Sequence, residues 1–257
     1  MIQLHWGTNN MDCLEGLKML KPNSIDLVIT SPPYDNLRDY KGYSFELEGI
    51  VKELYRVLKV GGVIVWVVSD AVVKGSETGT SFRQALTFID SGFNLNDTMI
   101  WRKTNPMPQV KQPRYAQVFE YMFVFSKSKP KTFNPIMVDC KTAGQPYKST
   151  AKKITKDKER QYKEFKINKQ KVDSNVWDIA IAQNKTSHPA VFPEELVYKH
   201  IISWSNEGDI VMDIFSGSGT THKIALENNR KFIGFEISKE YCDIEEKRLR
   251  ENDLWIY

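Results

Sequence analysis

The sequence predicts an α/β fold, a mostly parallel sheet with helices on both faces. Three observations carry this. Short apolar runs of strand length alternate with stretches of helical spacing along most of the chain. One such run, Ile25-Asp26-Leu27-Val28-Ile29, stops abruptly in Thr30-Ser31-Pro32-Pro33-Tyr34. Another, Asp209 to Asp213, runs straight into a glycine loop and then a helical stretch. Ligands of open α/β sheets bind at the carboxyl ends of strands, so these two junctions mark the candidate site.

The elements follow in order. Ile2 to Trp6 reads as a strand, broken by Gly7-Thr8-Asn9-Asn10. Asp12 starts a helix whose apolar face is Leu14, Leu17, Met19 and Leu20. Pro22-Asn23-Ser24 ends it and leads into the Ile25 strand, completing a strand–helix–strand unit. Asp35 to Ser44 is a polar loop long enough to be functional. Leu47, Ile50, Val51, Leu54, Val57 and Leu58 repeat at helical spacing until Gly61-Gly62. Val63 to Val68 is a buried strand, Ser69 to Thr80 a loop, and Phe82 to Ile89 a helix broken by Gly92. Thr98 to Trp101 and Tyr121 to Phe125 are strands; the Pro-rich, basic stretch Arg102 to Pro108 lies on the rim that carries Tyr34. Further on come a helix from Pro193 to Ser203, the Asp209 strand, a helix from His222 to Glu227, a strand from Lys231 to Phe235, and a charged helix from Glu240 to Arg250.

Between these parts, residues 128–175 read as an insert. Lysines crowd there (Lys129, Lys131, Lys141, Lys148, Lys152, Lys153, Lys156, Lys158, Lys163, Lys166, Lys169 and Lys171), with Arg160, and Phe133, Tyr147, Tyr162 and Phe165 are interleaved. Two readings stand side by side: a solvated, partly disordered arm, or a surface whose lysines meet phosphates.

Bulk properties set limits. The chain has 257 residues, 41% hydrophobic, with a formal net charge of +4. That suits one large α/β domain or two small domains, and permits a polyanionic partner without requiring one. The three cysteines, Cys13, Cys140 and Cys242, are isolated and not in metal-ligand spacing, so a reduced intracellular protein without a metal centre is expected. No signal-peptide pattern and no membrane-length apolar run is present, which makes cytoplasmic localisation the expectation.

The two junctions differ in chemistry. Pro32 and Pro33 forbid both a continuing central strand and an immediate helix, so a hydroxyl and an aromatic ring are held on a rigid kink. In the second junction Gly217 and Gly219 allow positive φ and close backbone approach. The spacing is neither the dinucleotide fingerprint nor the Walker pattern. Glu236 closes the next strand, where a carboxylate suits two vicinal ribose hydroxyls. A ligand with a ribose, a cationic centre and no phosphate fits, and S-adenosylmethionine has those features.

On these residues the chain resembles the DNA amino-methyltransferases. Thr30-Ser31-Pro32-Pro33-Tyr34 is similar to their catalytic motif, and Asp213-Ile214-Phe215-Ser216-Gly217-Ser218-Gly219-Thr220-Thr221 to their cofactor motif, with Ile214 where proline is usual. Catalytic motif first and cofactor motif late resembles the circularly permuted beta class. His188-Pro189-Ala190-Val191-Phe192-Pro193 is similar to its segment at the cofactor's methionine end, and Asp12-Cys13 to its adenine-side pair, with Met11 where glycine is usual.

The resemblance implies a Rossmann-like methyltransferase fold with a seven-stranded sheet, formed by 1–127 and 176–257, and a target-recognition insert at 128–175. It implies S-adenosylmethionine as cofactor, held by Asp12, Cys13, Thr30, His188, Ala190, Phe192, Pro193, Asp213, Phe215, Ser216, Gly217, Ser218, Gly219, Thr220 and Glu236. It implies Ser31, Pro32, Pro33 and Tyr34 as catalytic residues, acting on the exocyclic amine of a base flipped out of double-stranded DNA. Serine before Pro-Pro-Tyr leans toward N4 of cytosine, with N6 of adenine as the alternative; an RNA methyltransferase or an inactive DNA-binding subunit are further readings. A homodimer and a separately acting cognate restriction endonuclease are the partners the class allows.

Overall fold

A computed structural model describes residues 4–33, 46–106, 114–149, 163–182, 192–252 and 254. Twenty elements follow one another: β1 Gly7–Asn10, α1 Cys13–Met19, β2 Ile25–Thr30, α2 Leu47–Val57, β3 Leu58–Val68, β4 Val72–Val73, β5 Ser76–Glu77, α3 Thr80–Asp90, β6 Asn94–Lys103, β7 Phe119–Ser126, β8 Met137–Asp139, β9 Pro146–Ser149, β10 Lys163–Lys166, β11 Gln170–Val172, β12 Val176–Ile179, α4 Glu194–Trp204, β13 Ile210–Asp213, α5 Thr220–Glu227, β14 Lys231–Glu236 and α6 Lys239–Glu251.

One sheet dominates, in the order β1-β14-β13-β2-β3-β7-β6-β12. Only β7 runs against its neighbours; every other pairing is parallel. Successive β2 residues feed opposite faces. Val28 joins a cluster with Leu17 of α1, Leu54 of α2 and Phe88 of α3. Leu27 and Ile29 join another with Leu196 and Ile201 of α4 and Ile224 of α5. Helices therefore cover both faces, which is why the parallel strands read as continuous apolar runs.

Among the described residues the sheet has eight strands, not the expected seven; β12 adds an edge beside β6, pairing Trp177 with Trp101. The first strand is also displaced. Residues 4–6 are not strand, and the ladder forms on Gly7–Asn10, which pair with Ile233–Glu236. Those residues look like a breaker, but their polar groups find backbone partners. Asn9 Nδ2 donates to the carbonyls of His5 and Gly7, and Asn10 Nδ2 to those of Glu236 and Ile237. Likewise Gly61-Gly62 does not separate helix from strand but lies inside β3, which begins at Leu58. A Cβ on Gly62 would stand 2.8 Å from Leu58 Cγ and 3.0 Å from the Asp26 carbonyl, so close strand packing needs the glycine.

The chain forms two compact units, 1–134 with 175–257, and 135–174. The sequence set the insert at 128–175. Lys131, inside that range, belongs instead to the larger unit, where its N–H donates to the Gly61 carbonyl. The smaller unit holds two antiparallel ladders, β8 with β11 and β9 with β10. No helix among the described residues is long and apolar enough to cross a membrane.

Candidate active site

The two motifs emerge from adjacent strands. β13 pairs with β2 in parallel, Met212 opposite Val28, so Asp213 and Thr30 leave the sheet side by side. The Thr30 hydroxyl donates to Asp213 Oδ1 at 2.7 Å. Thr221 at the start of α5 donates to Oδ2 at 2.7 Å, and the Phe215 N–H to Oδ1 at 3.0 Å. Asp213 is 2% exposed, and burial pushes its carboxyl up to about 6 against the pull of those donors. Asp213 and Thr30 thus tie β2 to the glycine loop. Both Asp213 oxygens are engaged by the protein, and the Thr30 hydroxyl is spent on the tie.

Beyond Thr30 the chain turns out of the sheet, Pro32 buried and Ser31 and Pro33 half-buried. Tyr34, His188 and Ala190 lie outside the described residues. Phe215 packs edge-on to Trp66, the β3 partner of Thr30, with ring centroids 6.4 Å apart.

The glycine loop then crosses to the end of β14. Gly217 N–H donates to Glu236 Oε2 at 2.9 Å, and Ser238 N–H to Oε1 at 2.8 Å. Gly219 caps α5 with a φ of 75, a conformation that favours glycine. Burial pushes the Glu236 carboxyl above its ordinary range, although three backbone N–H groups hold it down. Met11 N–H donates to the Glu236 carbonyl, which brings the Asp12-Cys13 turn beside it. Asp12 Oδ1 caps α1, accepting from the N–H groups of Leu14 and Glu15. The Cys13 thiol is buried and pushed up to about 12, so it stays protonated. Pro193, buried, precedes α4, and half-buried Phe192 packs against the α4–α5 core.

This geometry can be set against known proteins. The family model for N6/N4-type DNA methylases matches residues 25–247. The chain belongs to that DNA methylase family. It is 53% identical to the orphan methyltransferase M.BamHII of Bacillus amyloliquefaciens, over 88% of this chain and 89% of that protein. It is 31% identical to the DNA adenine methyltransferase YhdJ of Escherichia coli K12, over 93% of this chain and 80% of that one. In fold it is similar to the cytosine-N4-specific PvuII DNA methyltransferase, with a TM-score of 0.69 and 23% identity, covering 97% of this chain and 95% of that one. M1.HpyAVI, solved as a complex with S-adenosylmethionine, superposes with a TM-score of 0.62 at 25% identity, over 94% of this chain and 98% of that one. S-adenosylmethionine is thus the cofactor seen bound in that relative.

The residues of this methylase fit that cofactor. A carboxylate offers about four lone-pair sites. Glu236 accepts from the backbone N–H groups of Gly217, Ser238 and Ile237, which leaves lone-pair capacity for a ribose hydroxyl.

Several residues that shape the site are not among the contacts expected from the sequence. Thr221, the last residue of the cofactor motif, is one. The others sit behind the glycine loop on α6 and β1. Arg248 donates through Nη1 to the Ser218 carbonyl at 3.2 Å and to Thr220 Oγ1 at 3.0 Å, and through Nη2 to Glu194 at 2.6 Å. One turn earlier, buried Glu245 accepts from the Thr8 hydroxyl at 2.6 Å and lies 2.6 Å from His222 Nδ1. Thr8 reaches on to the Ser216 hydroxyl. A Cβ on Gly219 would meet Glu245 Cγ at 2.3 Å, so α6 presses directly against the loop. The charged spacing of α6 reads as a solvated face, and nothing in it signals two side chains turned inward.

Proposed function

We propose that this methylase transfers the methyl group of S-adenosylmethionine to N4 of cytosine in double-stranded DNA, with the target base flipped out of the duplex. The observation that carries it is the Thr30–Asp213 hydrogen bond, which joins the Ser-Pro-Pro-Tyr strand end to the glycine loop. A methyl donor and an amine acceptor held by those two motifs would share one rim of the sheet. Bound there, the cofactor supplies an electrophilic methyl group on a sulfonium. Glu236 binds the ribose hydroxyls, and the backbone around Gly217 and Gly219 allows close approach.

The chain's own groups prepare the acceptor. An exocyclic amine is a poor nucleophile because its lone pair is delocalised into the ring. The Ser31 hydroxyl and Pro32 carbonyl accept hydrogen bonds from the amine and draw it toward sp³ geometry, on a kink the prolines keep rigid. Tyr34 offers a π-face to the base, and such stacking is worth about 1–3 kcal/mol per base. The methylated amine gives its proton to water; Ser31 forms no covalent bond.

The insert at 135–174 is the target-recognition part of this reading. Lys141, Lys166, Lys169 and Lys171 are exposed there, with Phe165 among them. A homodimer and a separately acting restriction endonuclease complete it as partners.

Incubation of duplex DNA with labelled S-adenosylmethionine, followed by nucleoside mass analysis, tests the reading. N4-methylcytosine is the expected product. N6-methyladenine, the product suggested by the likeness to YhdJ, would replace the base assignment. Absence of label on DNA of any sequence would overturn the function.

A further inference from the structure

Behind the glycine loop lies a buried network that the proposed chemistry does not use. Glu245 of α6 is 2% exposed. Its Oε1 accepts from the Thr8 hydroxyl of β1 at 2.6 Å and lies 2.6 Å from His222 Nδ1, in the first turn of α5. His222 is itself buried, its ring stacked on Phe232 of β14 with centroids 4.2 Å apart. The Thr8 hydroxyl lies 3.1 Å from Ser216 Oγ. One carboxylate oxygen thus connects α6, β1 and α5 and, through Thr8, the loop itself.

The network is shaped around that loop. Ser216 Oγ takes the space of a side chain on Gly234, standing 2.3 Å from where its Cβ would be. Glu245 Cγ does the same at Gly219. The two points are joined, since Gly219 N–H donates to the Ser216 carbonyl at 2.9 Å. Glu245 therefore holds the turn twice, by contact at Gly219 and through Thr8 at Ser216.

Stability does not account for Glu245. Its Oε2 has no hydrogen-bond partner among the described residues. A buried carboxylate short of donors costs free energy, and apolar residues of similar volume commonly fill such a space without loss. Its charge also opposes two neighbours: burial first, and Glu245 after it, pushes the Asp213 and Glu236 carboxyls up. Proteins break such rules mainly at functional sites.

We propose that Glu245 is a positioning residue for the methyl donor, setting the glycine loop in its binding shape before the cofactor arrives. This rests on the cofactor reading of that loop in the proposed function. Preorganisation lowers the ordering cost of binding, so it acts on affinity. Glu245 touches no reacting atom, so turnover at saturating cofactor does not depend on it.

The test measures S-adenosylmethionine binding by calorimetry and methylation kinetics on duplex DNA. It compares wild type with Glu245→Ala, Glu245→Gln, Thr8→Val and the double variant of Glu245→Ala with Thr8→Val. Glu245→Ala is expected to weaken binding roughly 10- to 100-fold, with the cofactor KM rising in step and kcat nearly unchanged. Glu245→Gln keeps an acceptor for the Thr8 hydroxyl and recovers part of the loss. Thr8→Val leaves Glu245 in place and cuts its link to Ser216, for a loss of roughly 3- to 10-fold. In the double variant the Thr8 change costs nothing further, because the link is already gone. A folding defect reads differently: it lowers the number of binding sites and leaves the affinity of the rest at the wild-type value. Wild-type affinity in Glu245→Ala or Thr8→Val would overturn the proposal. So would equal losses in Glu245→Gln and Glu245→Ala, additive losses in the double variant, or a fall in kcat at unchanged KM. If the wild-type enzyme binds no S-adenosylmethionine, the cofactor reading itself fails, a result distinct from all of these.

Discussion

Asp213 holds a buried carboxyl between two threonine hydroxyls and a backbone N–H. Burial raises it from 3.8 to about 6, so the folded protein binds this proton more tightly than the unfolded chain does. Stability from this group is therefore complete below pH 3.8 and is lost as pH rises through about 6. At 1.36 kcal/mol for each pH unit the loss is about 3 kcal/mol. Asp213→Asn cannot ionise and removes this slope. Urea unfolding of both proteins between pH 4 and 7 checks it; parallel profiles would show that Asp213 does not titrate in that window. The motif around Asp213 is legible in the sequence because a strand, two glycines and a helix start leave few alternatives. Its partnership with Thr30 is not, because nothing local in either segment records that the two strands are neighbours. Read from the motif alone, Asp213 is a ligand contact; in the fold its carboxylate also ties the end of β2 to the glycine loop.

At the scale of elements, α6 supports the cofactor loop from behind. Arg248 is the clearest handle, since one guanidinium joins the Ser218 carbonyl, the Thr220 hydroxyl and Glu194. Charge-assisted hydrogen bonds of this kind are worth about 1.5–3 kcal/mol. Arg248→Ala is expected to weaken S-adenosylmethionine binding roughly 10- to 100-fold while leaving kcat nearly unchanged, with partial recovery in Arg248→Lys. Calorimetry and a kcat-against-KM comparison check this; a fall in kcat at unchanged KM would assign Arg248 to the chemical step instead. Most helices and central strands follow from apolar periodicity, because both faces of the sheet are covered. β1 does not, since four polar and glycine residues form a strand only when β14 lies alongside. The amino end of β3 also defies local reading. Gly61-Gly62 signals a break, yet the glycines are there to admit a close backbone.

The chain as a whole forms two compact units, residues 1–134 with 175–257, and residues 135–174. The smaller one was unreadable because its ladders are only three or four residues long and mostly polar. Its exposed lysines make a prediction of their own. Replacing Lys141, Lys166, Lys169 and Lys171 by Gln should flatten the salt dependence of DNA binding, each lost phosphate contact removing about 0.9 from the slope of log K against log salt. Filter binding across a salt series measures it, and an unaltered slope would leave the lysines as solvated charge. The larger unit has a different consequence, one of timing. The hydrogen bond between Thr30 and Asp213 spans 183 residues of chain. During synthesis at about 5–20 residues per second, the catalytic strand leaves the ribosome several seconds at least before its partner exists. Until residue 213 and the helix beyond it have emerged, β2 lacks one of its two sheet neighbours, and on the proposed function the nascent chain cannot yet bring methyl donor and acceptor together. The late formation of this bond therefore ties activity to synthesis of both motifs.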